Sequence, residues 1–153
     1  MAADNGEQTA DAQQGEDAQA DQRQQARRAF ALAQAVMPYV RFTGWRRTQE
    51  ADSAFVFAGR NRFTNWPTAV YMTADGSITE IRERIPLRAV PRDLRRDIGE
   101  EISGLRVSSV ERSLREDFDV YYEFDAVLRS GRPVEVEIRA DGEDFTLSSA
   151  VNN

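Results

Sequence analysis

Three residue types are missing from this 153-residue chain: cysteine, histidine and lysine. Without cysteine there is no disulfide, no thiolate nucleophile and no cysteine-held metal. Without histidine the commonest general base is gone. Without lysine there is neither a Schiff base nor a phosphate-cradling P-loop. Any catalysis would have to run on Asp, Glu, Tyr, Ser, Thr and Arg. No run of 18 apolar residues occurs, so no membrane span is predicted.

What charge there is lies unevenly. Residues 1–25 hold six acids (Asp4, Glu7, Asp11, Glu16, Asp17, Asp21) against Arg23 alone, whereas the rest of the chain carries 20 acids and 19 arginines. The folded part is therefore close to neutral. A concentrated basic face, which nucleic-acid binding needs, is not indicated. No large apolar residue stands between Met1 and Phe30, so residues 1–21 cannot offset their ordering entropy by burial. They are expected to form a disordered acidic tail, in which no apolar signal core is visible.

Order is predicted from Gln22. In the alanine-rich stretch 26–37, Phe30, Ala33 and Met37 recur at helical spacing, with Leu32 and Val36 on an adjoining stripe. Pro38 ends that helix. Runs rich in β-branched and aromatic residues follow at 40–49, 54–59, 67–74 and 77–85, and Asp75-Gly76 signals a type I′ hairpin. The second half has the same order. Pro91 suits a first helical position, Leu94, Ile98 and Ile102 lie at i, i+4 and i+8, and Gly104 closes the helix. Strands are predicted at 106–115, 120–129, 133–140 and 144–151, with Val120, Tyr122, Phe124, Ala126 and Leu128 on one face and Glu123 and Asp125 on the other.

The halves superpose at an offset of 66 residues: Pro67 falls on Pro133, Val70 on Val136, and Ala74-Asp75-Gly76 on Ala140-Asp141-Gly142. The expected fold class is α+β, with tandem α-β-β-β-β repeats at 22–86 and 87–153. Together they would form one compact domain, an antiparallel sheet with helices packed on one face.

The stretch Ile85-Pro86-Leu87-Arg88-Ala89-Val90-Pro91, the helix after it, Val107 to Glu111, Val120-Tyr122-Glu123-Phe124, and Val134 to Ile138 ending at Ala140-Asp141-Gly142 carry a resemblance. This segment resembles the PepSY-like family, whose members are also described as β-lactamase-inhibitor-like, clearly over residues 85–147 and through the internal repeat over 26–84. The resemblance implies an exported bacterial protein, periplasmic or secreted, without established activity. The absence of lysine and the aromatic-rich first half depart from the family pattern.

Two candidate chemistries are weak. Glu123, Glu135 and Glu137 could approach as carboxylate pairs, but a solvated face balanced by Arg112, Arg129 and Arg139 is the favoured explanation. Asp141, Glu143 and Asp144 lack the alternating ligands of a calcium loop, so no metal and no cofactor is expected. The more informative surface is aromatic. If Val56 shares the face of Tyr122, then Phe55, Phe57 and Tyr71 project from the uncovered sheet face as an anchor set with Trp66 at its rim. That patch would contact a protein or peptide. A non-enzymatic binding module, an inhibitor being one form of it, is the favoured function. The alternative is a small enzyme or ligand carrier using carboxylates and tyrosines in a cleft.

Overall fold

Pro38 stops the first helix where the sequence requires it. The Met37 amide donates to the Ala33 carbonyl at 2.8 Å, and the next residue has no N–H with which to continue. In the computed structural model, which describes residues 7–150, this helix is α1 (Glu7–Val36). Four strands follow: β1 (Val40–Arg47), β2 (Phe55–Asn61), β3 (Pro67–Met72) and β4 (Ile78–Ile85). Then come α2 (Arg92–Glu101) and β5 (Arg106–Arg115), β6 (Val120–Val127), β7 (Pro133–Arg139) and β8 (Thr146–Ser149). The eight strands pair in chain order as one antiparallel sheet.

The expected class is corrected by that sheet. Among the described residues, eight strands against two α-helices make the fold sheet-dominated, not a balanced α+β arrangement. The physical reason lies at β4 and β5. These strands pair over Glu80–Ile85 and Val110–Arg115, so the hydrogen-bond ladder runs without a break past the expected repeat boundary. The expected tail is also altered: α1 begins at Glu7, and residues 1–6 lie outside the described residues.

Four hairpins turn in the same way. Thr73 donates to Ser77, Arg115 to Asp119, Leu128 to Arg132 and Arg139 to Glu143 at 2.9–3.1 Å, each spanning a three-residue loop. The third loop residue is left-handed in every case: Gly76, Phe118, Gly131 and Gly142 have φ of 96°, 65°, 88° and 89°. The type I′ turn expected at Asp75-Gly76 is thus a three-residue loop closed by a glycine, since Asp75 does not share the positive φ.

Both helices lie over one face of the sheet. Beneath α1 the core consists of Ala26, Ala29, Ala33 and Met37 against Phe55, Phe57, Val70 and Met72. The alanines let the helix backbone approach closely, and Leu32 and Val36, on the adjoining stripe, are 45% and 58% exposed. Beneath α2, Leu94 and Ile98 pack on Val110, Tyr122, Phe124, Val136 and Ile138. Register links the two clusters, because Val70 faces Ile81, which faces Leu114, which faces Val120 at the edge of the second cluster. Among the described residues no α-helix covers the opposite face; a short 3-10 turn, Glu50–Asp52, touches its margin.

Candidate functional site

On the uncovered face, alternate residues of β3 to β7 bring arginines, tyrosines and glutamates side by side. Tyr71 stands opposite Glu80, and Glu80 opposite Arg115. The Arg82 guanidinium lies over the Tyr71 ring, 4.5 Å from its centroid, and that of Arg115 lies 3.8 Å from the Tyr121 centroid. Between them Glu80 is almost fully buried, pairing with Arg82 at 2.9 Å and with Arg115 at 4.0 Å. Glu50, from the β1–β2 connection, accepts from Tyr71 at 3.3 Å and pairs with Arg82 at 3.4 Å. Each charged group thus holds another in place.

The protonation states follow. Burial opposes the Arg82 charge, but Glu80, Tyr71 and Glu111 outweigh it and its pKa rises. Burial raises the Tyr71 phenol, with Arg82 acting against the shift. The hydrogen bond from Arg46 holds the Glu50 carboxyl below its usual range. All three remain in their ordinary ionisation states at neutral pH.

Beside this group runs a row of like charges. Glu111 on β5 stands opposite Glu123 on β6, which stands opposite Glu137 on β7; Asp125 faces Glu135. Like charges directly opposite on neighbouring strands are unfavourable. Arg115 pairs with Glu137 and Arg82 approaches Glu111 at 3.7 Å, so the ends of the row are compensated better than its middle. Burial, reinforced by Glu135 and Glu111, pushes Glu123 up to about 7. Burial raises Glu111 as well, against Arg82 and Arg84.

The expected aromatic patch does not form. Phe55 and Phe57 are 2% and 0% exposed in the core beneath α1. Trp66 packs against the second core cluster on the helix-bearing side, with the Arg112 guanidinium 5.9 Å from its ring. Only Tyr71 lies on the uncovered face, and it is buried under Arg82. The cause is a difference of one residue: one more residue separates Phe57 from its partner Val70 than separates Phe124 from Val136. A one-residue slip moves every side chain to the other face. Val56, not Phe57, is therefore the counterpart of Glu123.

The balancing arginines are also different ones. Arg112 sits on the helix-bearing face and pairs with Glu83, while Arg82 and Arg115 serve the glutamates. Arg139 reaches Asp119, Asp141, Glu143 and Asp144 at 3.6, 2.9, 2.7 and 3.0 Å. Its guanidinium occupies the space between the loop carboxylates that had been weighed as calcium ligands, and its hydrogen bond lowers the Asp141 pKa. Arg82, Arg115 and Glu111 were missed as site residues: Glu111 and Arg115 share a face at i, i+4 on β5, and the β4–β5 register, pairing Arg82 with Ser113, brings Arg82 between them.

No family profile and no curated protein matches the chain in sequence. Solved structures do match it in shape. A DUF2874 family protein from Bacteroides uniformis superposes with a TM-score of 0.68 at 13% identity, covering 79% of this chain and 86% of that one. A BLIP-like protein from Bacteroides fragilis gives 0.67 at 10% identity, covering 82% and 87%. A protein predicted to be periplasmic, from Bacteroides eggerthii, gives 0.66 at 14% identity, covering 79% and 86%. The likeness is one of fold: the chain has a BLIP-like, that is β-lactamase-inhibitor-like, fold.

Proposed function

We propose that this chain is a non-enzymatic binding module that holds a protein or peptide on its uncovered sheet face. The paired arginine–tyrosine stacks anchored by Glu80 carry this reading. Arginine and tyrosine are favoured at interface hot spots, and here their torsions are already fixed by partners within the chain, so less is lost on binding. The adjoining row of Glu111, Glu123 and Glu137 favours a partner that brings a basic side chain to it, since a cation there would relieve the opposed charges. The fold shared with a BLIP-like protein supports inhibition as one use of such a surface. The PepSY-like assignment rests on the sequence resemblance. That resemblance, with a structural neighbour predicted to be periplasmic, favours an exported protein. Among the described residues no helix is long and apolar enough to cross a membrane.

The alternative of a small enzyme or carrier finds less support. Its carboxylates, Glu123, Glu135 and Glu137, stand on an open strand face and not in an enclosed cleft with convergent groups. The test is affinity capture from periplasmic and culture-supernatant extracts with the wild-type chain, its Arg82→Ala/Tyr121→Ala variant, and a Leu87→Ser variant of the opposite side. A partner held by the wild type and the Leu87 variant but released by the double variant supports the reading. Capture that ignores the double variant, or no capture from either extract, overturns it.

A further inference from the structure

A second cleft lies on the other side of the sheet, where α1 crosses the edge strand. Arg23, Arg27 and Phe30 follow at i, i+4 and i+7, so they form one stripe beside the buried alanines. Below them β1 carries a bulge between Phe42 and Gly44. The bulge turns Trp45 to the helix side, where it pairs in register with Phe57 and remains 50% exposed. No atom lies within 4 Å of where a Gly44 side chain would start. These residues enclose a cavity of about 460 Å³, within the roughly 300–1,000 Å³ of small-molecule sites.

Its walls are aromatic. The Phe30 and Phe42 rings meet edge to face with centroids 5.7 Å apart, and Trp45 meets Phe55 in the same way at 5.9 Å. Its mouth is cationic. Arg23 and Arg27 both line it, and among the described residues neither forms an ion pair. Two like charges one turn apart on the same helix face repel. An anion between them would remove that repulsion and accept hydrogen bonds from both forks.

We infer that this cleft binds a small aromatic carboxylate, its ring against Trp45, Phe42 and Phe30 and its carboxylate between Arg23 and Arg27. The flat, half-exposed indole favours an aryl body, which stacks or meets it edge on. The site is separate from the uncovered sheet face and does not depend on that face binding a partner.

The chain has two tryptophans, so the two indole N–H resonances are assigned with one Trp66→Phe variant. Titration with 2-naphthoate should shift the Trp45 resonance saturably and leave that of Trp66 in place. The uncharged analogue 2-naphthalenemethanol, and naphthoate on the Arg23→Gln/Arg27→Gln variant, should both bind at least about tenfold more weakly, as loss of charge-assisted hydrogen bonds requires. Both arginines are exposed, and an unmoved Trp66 resonance verifies that the variant folds. Should that variant misfold, Arg27→Gln alone supplies the comparison. The inference is overturned if naphthoate produces no saturable shift at millimolar concentration, if the alcohol binds equally well, or if removing the guanidinium groups changes nothing.

Discussion

Glu123 stands directly opposite Glu137 on the neighbouring strand, and Glu111 flanks it on the other side. A sheet that places three carboxylates in line gives up stability unless one of them keeps its proton. Glu123, in the middle and pushed up to about 7, is that residue.

The pH dependence follows with a definite sign. The folded-state pKa of Glu123 lies above the ordinary glutamate value of 4.5. The folded chain therefore binds more protons than the unfolded chain between these values, and stability falls as pH rises through that window. Glu111, also raised, acts in the same direction. Glu50, Asp75 and Asp141, all lowered, act below it and do not interfere. The thermal midpoint should fall between pH 5 and pH 8, and Glu123→Gln should flatten the fall. Equal slopes for both proteins would show that the row is fully compensated by Arg82 and Arg115.

Phe57→Ser should act on stability. The ring is fully buried and lies 5.5 Å, centroid to centroid, from Phe30, so its truncation should cost at least about 3 kcal/mol. Chemical denaturation measures this directly, and a loss below about 1 kcal/mol would mean that α1 does not cover the ring.

The same residue shows how far the sequence could be read. Strand positions followed from β-branched and aromatic runs bounded by turns, and all eight strands lie within the predicted runs or up to two residues beyond them. The faces of β6 and β7 followed from their clean alternation of Tyr122, Phe124, Val136 and Ile138 with glutamates. The face of β2 did not, because Phe55, Val56 and Phe57 are all apolar and give no alternation to read. Their facing was then borrowed from the second half, and a single extra residue before β3 reversed it. Arg82 and Arg115 were hidden for another reason: cross-strand stacking depends on register, which no local pattern specifies. The face of α1 was legible in part: Phe30, Ala33 and Met37, read at helical spacing, do meet the core, but Ala26 and Ala29, whose small side chains carry little apolar signal, complete it.

The N-terminal part of α1 should be dispensable. Asp17 to Asp21 are exposed, and from Asp17 onward Ala26 is the first buried residue of the helix. A helix that is polar all round gains little from packing. Deleting residues 1–21 should leave the thermal midpoint nearly unchanged and retain the Gln22–Arg47 hydrogen bond of 3.0 Å. A fall of more than about 5 °C, well over 1 kcal/mol for a chain of this size, would show that the segment docks.

Phe118 offers the opposite kind of change. It closes the β5–β6 hairpin at φ 65°, the position that glycine takes in the other three loops of this type. A side chain in the left-handed region costs roughly 1–2 kcal/mol relative to glycine, and Phe118, 84% exposed, recovers almost none of that by burial. Its backbone conformation is fixed from both sides: the Phe118 amide donates to the Arg115 carbonyl at 2.9 Å, and the Arg115 amide to the Asp119 carbonyl at 3.1 Å. Phe118→Gly should therefore stabilise the protein by about 1 kcal/mol, less the greater freedom that glycine gives the unfolded chain. Phe118→Ala separates the two contributions, since it removes the ring but keeps the strained backbone, and its stability should stay close to that of the wild type. Unfolding in urea at a fixed pH measures all three proteins. If the glycine variant is no more stable than the alanine one, the strain of the left-handed conformation at Phe118 does not exceed the entropy that glycine adds to the unfolded chain, and the expected gain is refuted.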